Sequence, residues 1–235
     1  MIIHFEFNRK VQPRDVVHDM PVKDILALSL PMLMTATMTF VIAQTGLLML
    51  GMFRTEAEVG YYSVAVKLAT LTTFVLSAVN SMAAPKFSEL FHSGNMPELF
   101  YVAQKSAKLI FWTTIPILAV LLLFGKPVIS LLFGSEFTVA YTAMAILIIG
   151  QFINSVSGST GYFMNMTGSQ SAFRNIILCA AVITVGLSLA LIPPFGIIGA
   201  ALAGMVSIVF WNVGTLLYIK SKYGKIIGYL PCMRG

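Results

Sequence analysis

Six long apolar blocks, at about residues 25–53, 61–83, 107–124, 137–166, 175–192 and 196–219, constrain this chain more than any other feature. An α-helix rises 1.5 Å per residue, so about 20 apolar residues cross the ~30 Å hydrocarbon layer of a bilayer. Each block is about that long or longer. In lipid every backbone amide needs an internal partner, which leaves helices or closed barrels. The blocks lack the two-residue alternation and ~10-residue length of barrel strands. The expectation is an all-α integral membrane protein, a bundle of six transmembrane helices. Hydrophobic residues form 57% of the chain and charged residues 10%, a balance that excludes a water-soluble domain.

The basic residues fix the topology. Arg9, Lys10, Arg14, Lys23, Lys86, Lys105, Lys108, Arg174, Lys220, Lys222, Lys225 and Arg234 fall on one side of the blocks, against Arg54 and Lys126 on the other. This asymmetry predicts both termini in the cytoplasm and an even number of spans. Three parts follow: a leader or linker (1–24), a six-helix lobe (25–220) and a basic cytoplasmic tail (221–235). The leader lacks the apolar core of a signal peptide. The net charge of +6 does not indicate nucleic acid, since no dense basic run interleaves with aromatics. Pro31 and Pro116 predict kinks, and Pro193, Pro194 and Phe195 a tight turn between the last two spans. Residues 85–105 alternate at helical spacing and predict an amphipathic cytoplasmic segment at the interface.

Polar side chains inside the blocks carry the functional argument. In the fourth span Gln151, Asn154, Ser155, Gly158, Gly161, Tyr162, Asn165 and Ser169 project into one sector at 100° per residue. Amides are costly in hydrocarbon, so this stripe either lines a watery cavity or mediates helix packing. In the second span Ser63, Lys67, Thr70, Thr73, Ser77 and Asn80 share a broader sector, and Lys67 is the single charge deep within a block. No acidic residue within the blocks is available to neutralise it. Lys67 therefore either meets an anionic substrate or snorkels to the headgroups. Ala200, Gly204, Ser207, Trp211, Gly214 and Tyr218 align as a close-packing face of the sixth span. The methionines read as flexible apolar filler.

Catalysis finds no support in this pattern. His4, His18 and His92 lie outside the blocks, and no carboxylate pair or nucleophile with a base is visible within them. Cys179 and Cys232 form no disulfide or metal spacing, and no phosphate-binding loop occurs. The expectation is a protein that is not an enzyme and needs no cofactor.

Short motifs then run in order: Leu50-Gly51, Val59-Gly60-Tyr61-Tyr62-Ser63-Val64-Ala65, Ala84-Pro85-Lys86-Phe87-Ser88, Phe133-Gly134-Ser135-Glu136-Phe137, Gly150-Gln151 with Asn154, Met166-Thr167-Gly168, Ile192-Pro193, Gly196 and Gly199-Ala200-Ala201. In this order the chain resembles the C-terminal half of oligosaccharide and polysaccharide flippases of the multidrug/oligosaccharidyl-lipid/polysaccharide exporter superfamily. The resemblance implies one six-helix lobe of a two-lobe exporter that rocks between inward-open and outward-open states. Its implied cargo is a polyprenyl-pyrophosphate-linked oligosaccharide, such as an O-antigen or another lipopolysaccharide or surface polysaccharide unit, crossing the bacterial inner membrane. Lys67 would attract the pyrophosphate, with Ser63 and Thr70 beside it, while Gln151, Asn154, Gly158 and Asn165 would meet sugar hydroxyls. Where cation-coupled relatives often carry an acidic residue, this chain reads Gln44-Thr45-Gly46. Such a lobe needs a second one, either an N-terminal half or another copy. The rival readings are a drug or organic-cation exporter of the same fold, which should offer an intramembrane carboxylate, and a non-transporting scaffold.

Overall fold

The computed structural model describes residues 22–229 and Pro231, so the expected leader lies almost wholly outside the described residues. Every regular element among them is helical: α1 (Val22–Phe53), α2 (Glu56–Ala69), α3 (Thr72–His92), α4 (Met96–Phe133), a 3-10 turn (Ser135–Val139), α5 (Ala140–Ser157), α6 (Thr160–Met166) and α7 (Gln170–Tyr223). Polar residues mark the helix starts. Asn95 accepts from the Glu98 amide at 3.3 Å with Pro97 in the first turn, and Thr55 accepts from the Glu58 amide at the start of α2. Both satisfy amides that a helix N-terminus leaves unpaired.

Four of these elements, counting the 3-10 turn with α5, are long and apolar enough to cross a membrane, and α2 with α3 makes a fifth crossing bent by 43°. At 54 residues α7 would reach ~80 Å, far more than one crossing needs. Gly196 divides it, with φ 55° and ψ −128°. Across that point the Thr184 hydroxyl donates to Ser207 Oγ at 2.6 Å, so the two halves run antiparallel. The division brings the total to six crossings. The reversal sits at Gly196, just beyond the expected Pro193–Phe195 turn, because only glycine enters that backbone region without strain. Gly199 completes the turn: a Cβ there would collide with the Leu191 carbonyl.

The loops between α1 and α2 and between α4 and α5, with the α7 reversal, gather at one end, here called upper. Large apolar side chains coat the outside, among them Leu131, Met82, Met52, Leu123 and Phe74, each at least three-quarters exposed. Such a surface suits acyl chains and not water. Inside, two apolar layers stack. The upper one joins Leu50, Tyr62, Leu68, Leu118, Ile129, Met144, Leu147 and Ile192. The lower one joins Phe87, Leu99, Phe100, Phe163, Ile177, Ile219 and Ile227. In the lower layer Phe163 meets Phe87, Phe100 and Tyr223 at 5.6–6.0 Å between ring centroids. Between the layers in sequence lie buried polar residues: Asn80, Thr114, Gln151, Asn154, Ser155, Thr184, Ser188, Ser207 and Asn212. These put a polar belt at mid-depth in the bundle.

Several expectations need correction. The second span is not one continuous helix, because Thr70 and Leu71 interrupt it. The fourth span breaks at Gly158, so α5 and α6 are separate helices. No separate interfacial helix forms over residues 85–105. α3 runs to His92 and α4 starts at Met96, while Phe87, Leu90, Leu99, Phe100 and Ala103 are buried, so the helical spacing comes from a corner packed into the bundle. Part of the expected tail, residues 221–229, lies among the described residues. α7 continues to Tyr223, and residues 225–229 turn back along α4. Gln104 Nε2 donates to the Ile226 carbonyl, the Tyr229 amide donates to the Val156 carbonyl at 2.8 Å, and Ile227 is 1% exposed.

Candidate functional site

The interruption between α2 and α3 is where the chain's chemistry concentrates. Threonine hydroxyls bond back to carbonyls around this bend, each of which also accepts a backbone amide at 2.9 Å: Thr70 donates to Val66 O at 2.7 Å and Thr73 to Thr70 O at 2.6 Å. Side chains that bond back to the preceding turn commonly bend helices. Lys67 lies in the last turn of α2, about 16 Å along the helix from Glu56, close to half of the hydrocarbon thickness. It is exposed, and its ammonium makes no hydrogen bond or ion pair among the described residues. The C-terminal end of α2, with its partial negative charge, favours the ammonium only modestly. Ser63 and Thr70, one turn above and one below, are half-buried on the same side of the helix. Three of the seven residues singled out from sequence therefore form one polar strip beside a broken helix.

The other four do not join it. Gln151 and Asn154 are 5% and 8% exposed, and the Asn154 amide donates to Gln151 Oε1 at 3.2 Å. Gly158, at φ 67°, ends α5 against Ala107 of α4, where a Cβ would come within 2.6 Å of the Ala107 Cβ. Asn165 sits half-buried on α6, beyond the break. Only a continuous helix would keep Gln151, Asn154, Gly158 and Asn165 on one face. The break puts the first two into the polar belt and Asn165 on another element.

Arg54 is a structural participant that its sequence context did not single out. Its Nη2 donates to Pro193 O at 2.6 Å and its Nε to Ile192 O at 3.4 Å, with Glu58 Oε2 3.9 Å away. The corner after α1 is thereby fastened to two carbonyls at the α7 reversal. Buried acceptors also remain unpaired in or beside the belt, among them Asn80 Oδ1, Asn154 Oδ1, Asn212 Oδ1 and Ser188 Oγ. Among the described residues no three His, Cys, Asp or Glu side chains converge as a metal site would need.

Comparison with known proteins bears on what such a bundle does. A family profile described as "Polysaccharide biosynthesis protein" matches residues 1–142, more than half of the chain. The chain belongs to this polysaccharide biosynthesis family. It is 27% identical over 186 residues to the probable low-salt glycan biosynthesis flippase Agl15 of Haloferax volcanii, covering 75% of this chain and 39% of that protein. It is 25% identical over 147 residues to the uncharacterized membrane protein MJ1068 of Methanocaldococcus jannaschii, covering 63% of this chain and 29% of that protein. The chain thus spans well under half the length of these relatives. No solved structure matches it. This member of the polysaccharide biosynthesis family is a multi-pass, helical membrane protein, and one of these two relatives is named a probable flippase.

Proposed function

We propose that this chain is one lobe of a flippase that moves a lipid-linked oligosaccharide across the plasma membrane by alternating access. The observation that carries the reading is Lys67: an exposed ammonium near mid-membrane depth, without a carboxylate partner among the described residues, beside a broken helix. Discontinuous helices near the bilayer midplane are how many transporters present charge to an ionic substrate. A lone lysine at that depth costs about 2.5–3.5 kcal/mol on insertion scales, and a diphosphate would offset it. The relative named as a glycan biosynthesis flippase supports a glycan as the cargo. An organic-cation exporter would call for a carboxylate where this strip has an ammonium. The narrowest form of the reading, an O-antigen or other lipopolysaccharide unit in a bacterial inner membrane with cytoplasmic termini, rests on the resemblance and the charge asymmetry.

The second lobe, an N-terminal half or another copy, belongs to this proposal. The test is translocation of a lipid-linked oligosaccharide into proteoliposomes that contain both lobes. Lys67→Gln should lower the rate at least tenfold while the protein inserts normally, and Lys67→Arg should keep most of it. An undiminished Lys67→Gln rate would remove the charge from the mechanism.

A further inference from the structure

A groove of about 480 Å³ runs along the outside of α4, lined by Val102, Lys105, Ser106, Lys108, Leu109 and Trp112. These positions are linked by three- and four-residue steps, Lys108 included at three from Lys105 and four from Trp112, so they form one stripe on the helix. The groove is apolar along most of its length. Leu109 and Trp112 are 53% and 55% exposed, and Lys105 and Lys108 stand exposed between Val102 and Trp112.

Depth gives this arrangement a chemical meaning. The 38 residues of α4 extend ~57 Å, nearly twice the hydrocarbon thickness, so the helix must project beyond the bilayer core. With the apolar upper part of α4 in hydrocarbon, Lys105 and Lys108 come to the lower boundary and Leu109 to Trp112 enter it. The two ammonium groups rest near aromatic rings, Lys105 Nζ 4.7 Å from the Tyr101 centroid and Lys108 Nζ 5.8 Å from that of Tyr229. Neither has a carboxylate within 4 Å among the described residues.

We propose that this groove binds one anionic phospholipid, its phosphate held between Lys105 and Lys108 and an acyl chain laid over Leu109 and Trp112. Charge complementarity selects an anionic lipid over a zwitterionic one, because both lysines line the same groove and have no carboxylate within 4 Å among the described residues. A free anion leaves the apolar length of the groove unfilled. The site lies on a different helix from Lys67 and does not depend on the transport reading.

The test is native mass spectrometry of the full chain in micelles supplemented with phosphatidylglycerol and phosphatidylcholine. One phosphatidylglycerol should be retained in preference, and Lys105→Gln with Lys108→Gln should weaken it roughly tenfold, two interfacial lysines acting against partial screening. Trp112→Ala should also shorten its retention, whereas Lys126→Gln, which removes a charge from the other end of α4, should not. Glycerol phosphate, which has the headgroup charge and no acyl chain, should fail to compete. Equal retention of phosphatidylcholine, an unaffected double variant, an equal loss in Lys126→Gln or full competition by glycerol phosphate would each overturn the proposal.

Discussion

Arg54 shows how one side chain holds a membrane hairpin shut. A helix end exposes carbonyls, and in α7 the residues that follow Ile192 are prolines and a glycine that leaves the helical region. The planar guanidinium reaches both Ile192 O and Pro193 O, which the point charge of lysine matches poorly. Arg54→Met should cost about 1–3 kcal/mol, the range for leaving such acceptors unmet, with Arg54→Lys in between. Unfolding in mixed micelles would measure this, and unchanged midpoints for both variants would show that water replaces the guanidinium without loss. Gly199 is less forgiving, because the neighbour a methyl group would meet is the Leu191 backbone and not a flexible side chain. Gly199→Ala should therefore lower stability more than Gly204→Ala, whose added carbon would meet the end of Leu147 at 3.3 Å. Equal midpoints for the two alanine variants would refute the tight reversal.

At the level of elements, what could be read in advance depended on whether a break left a chemical mark. The α7 reversal was legible because Pro193, Pro194 and Gly196 are residues that end helices. The bend between α2 and α3 was not, because Thr70-Leu71-Thr72-Thr73 contains neither glycine nor proline, and threonine acts there through hydroxyl bonds that sequence alone does not reveal. Gly158 stood in view as one member of the polar stripe of the fourth span, and only its φ of 67° identifies it as the end of α5. Of the candidate site, Lys67 was legible as a lone charge, and its strip with Ser63 and Thr70 followed from helical spacing. The grouping of Gln151 with Asn165 failed because it assumed a helix without interruption. Thr70→Val with Thr73→Val should straighten the bend. Distances between spin labels on the upper part of α2 and the lower part of α3 should then lengthen, with transport reduced and insertion normal. An unchanged distance distribution would assign the bend to packing against α4 and α5 instead.

For the whole molecule, the decisive question is what the bundle moves against. Its interior is filled by two apolar layers and a polar belt, so Gln151 and Asn154 bond to each other inside the lobe, while Lys67 stands on its surface. Under the proposed function the substrate path runs along the outside of this bundle, and alternating access requires a second bundle to close it. The chain also spans only 39% of the length of its flippase relative, which leaves room in that protein for another such unit. Translocation measured over a range of protein densities in vesicles separates the possibilities. If two copies pair, the rate should rise with the square of density at low occupancy. If a separate lobe is required, this chain alone should give no transport at any density, and adding that lobe should restore it. A rate linear in density from the most dilute vesicles upward would mean that a single bundle suffices, and Lys67 would then have to serve a path with no opposing wall.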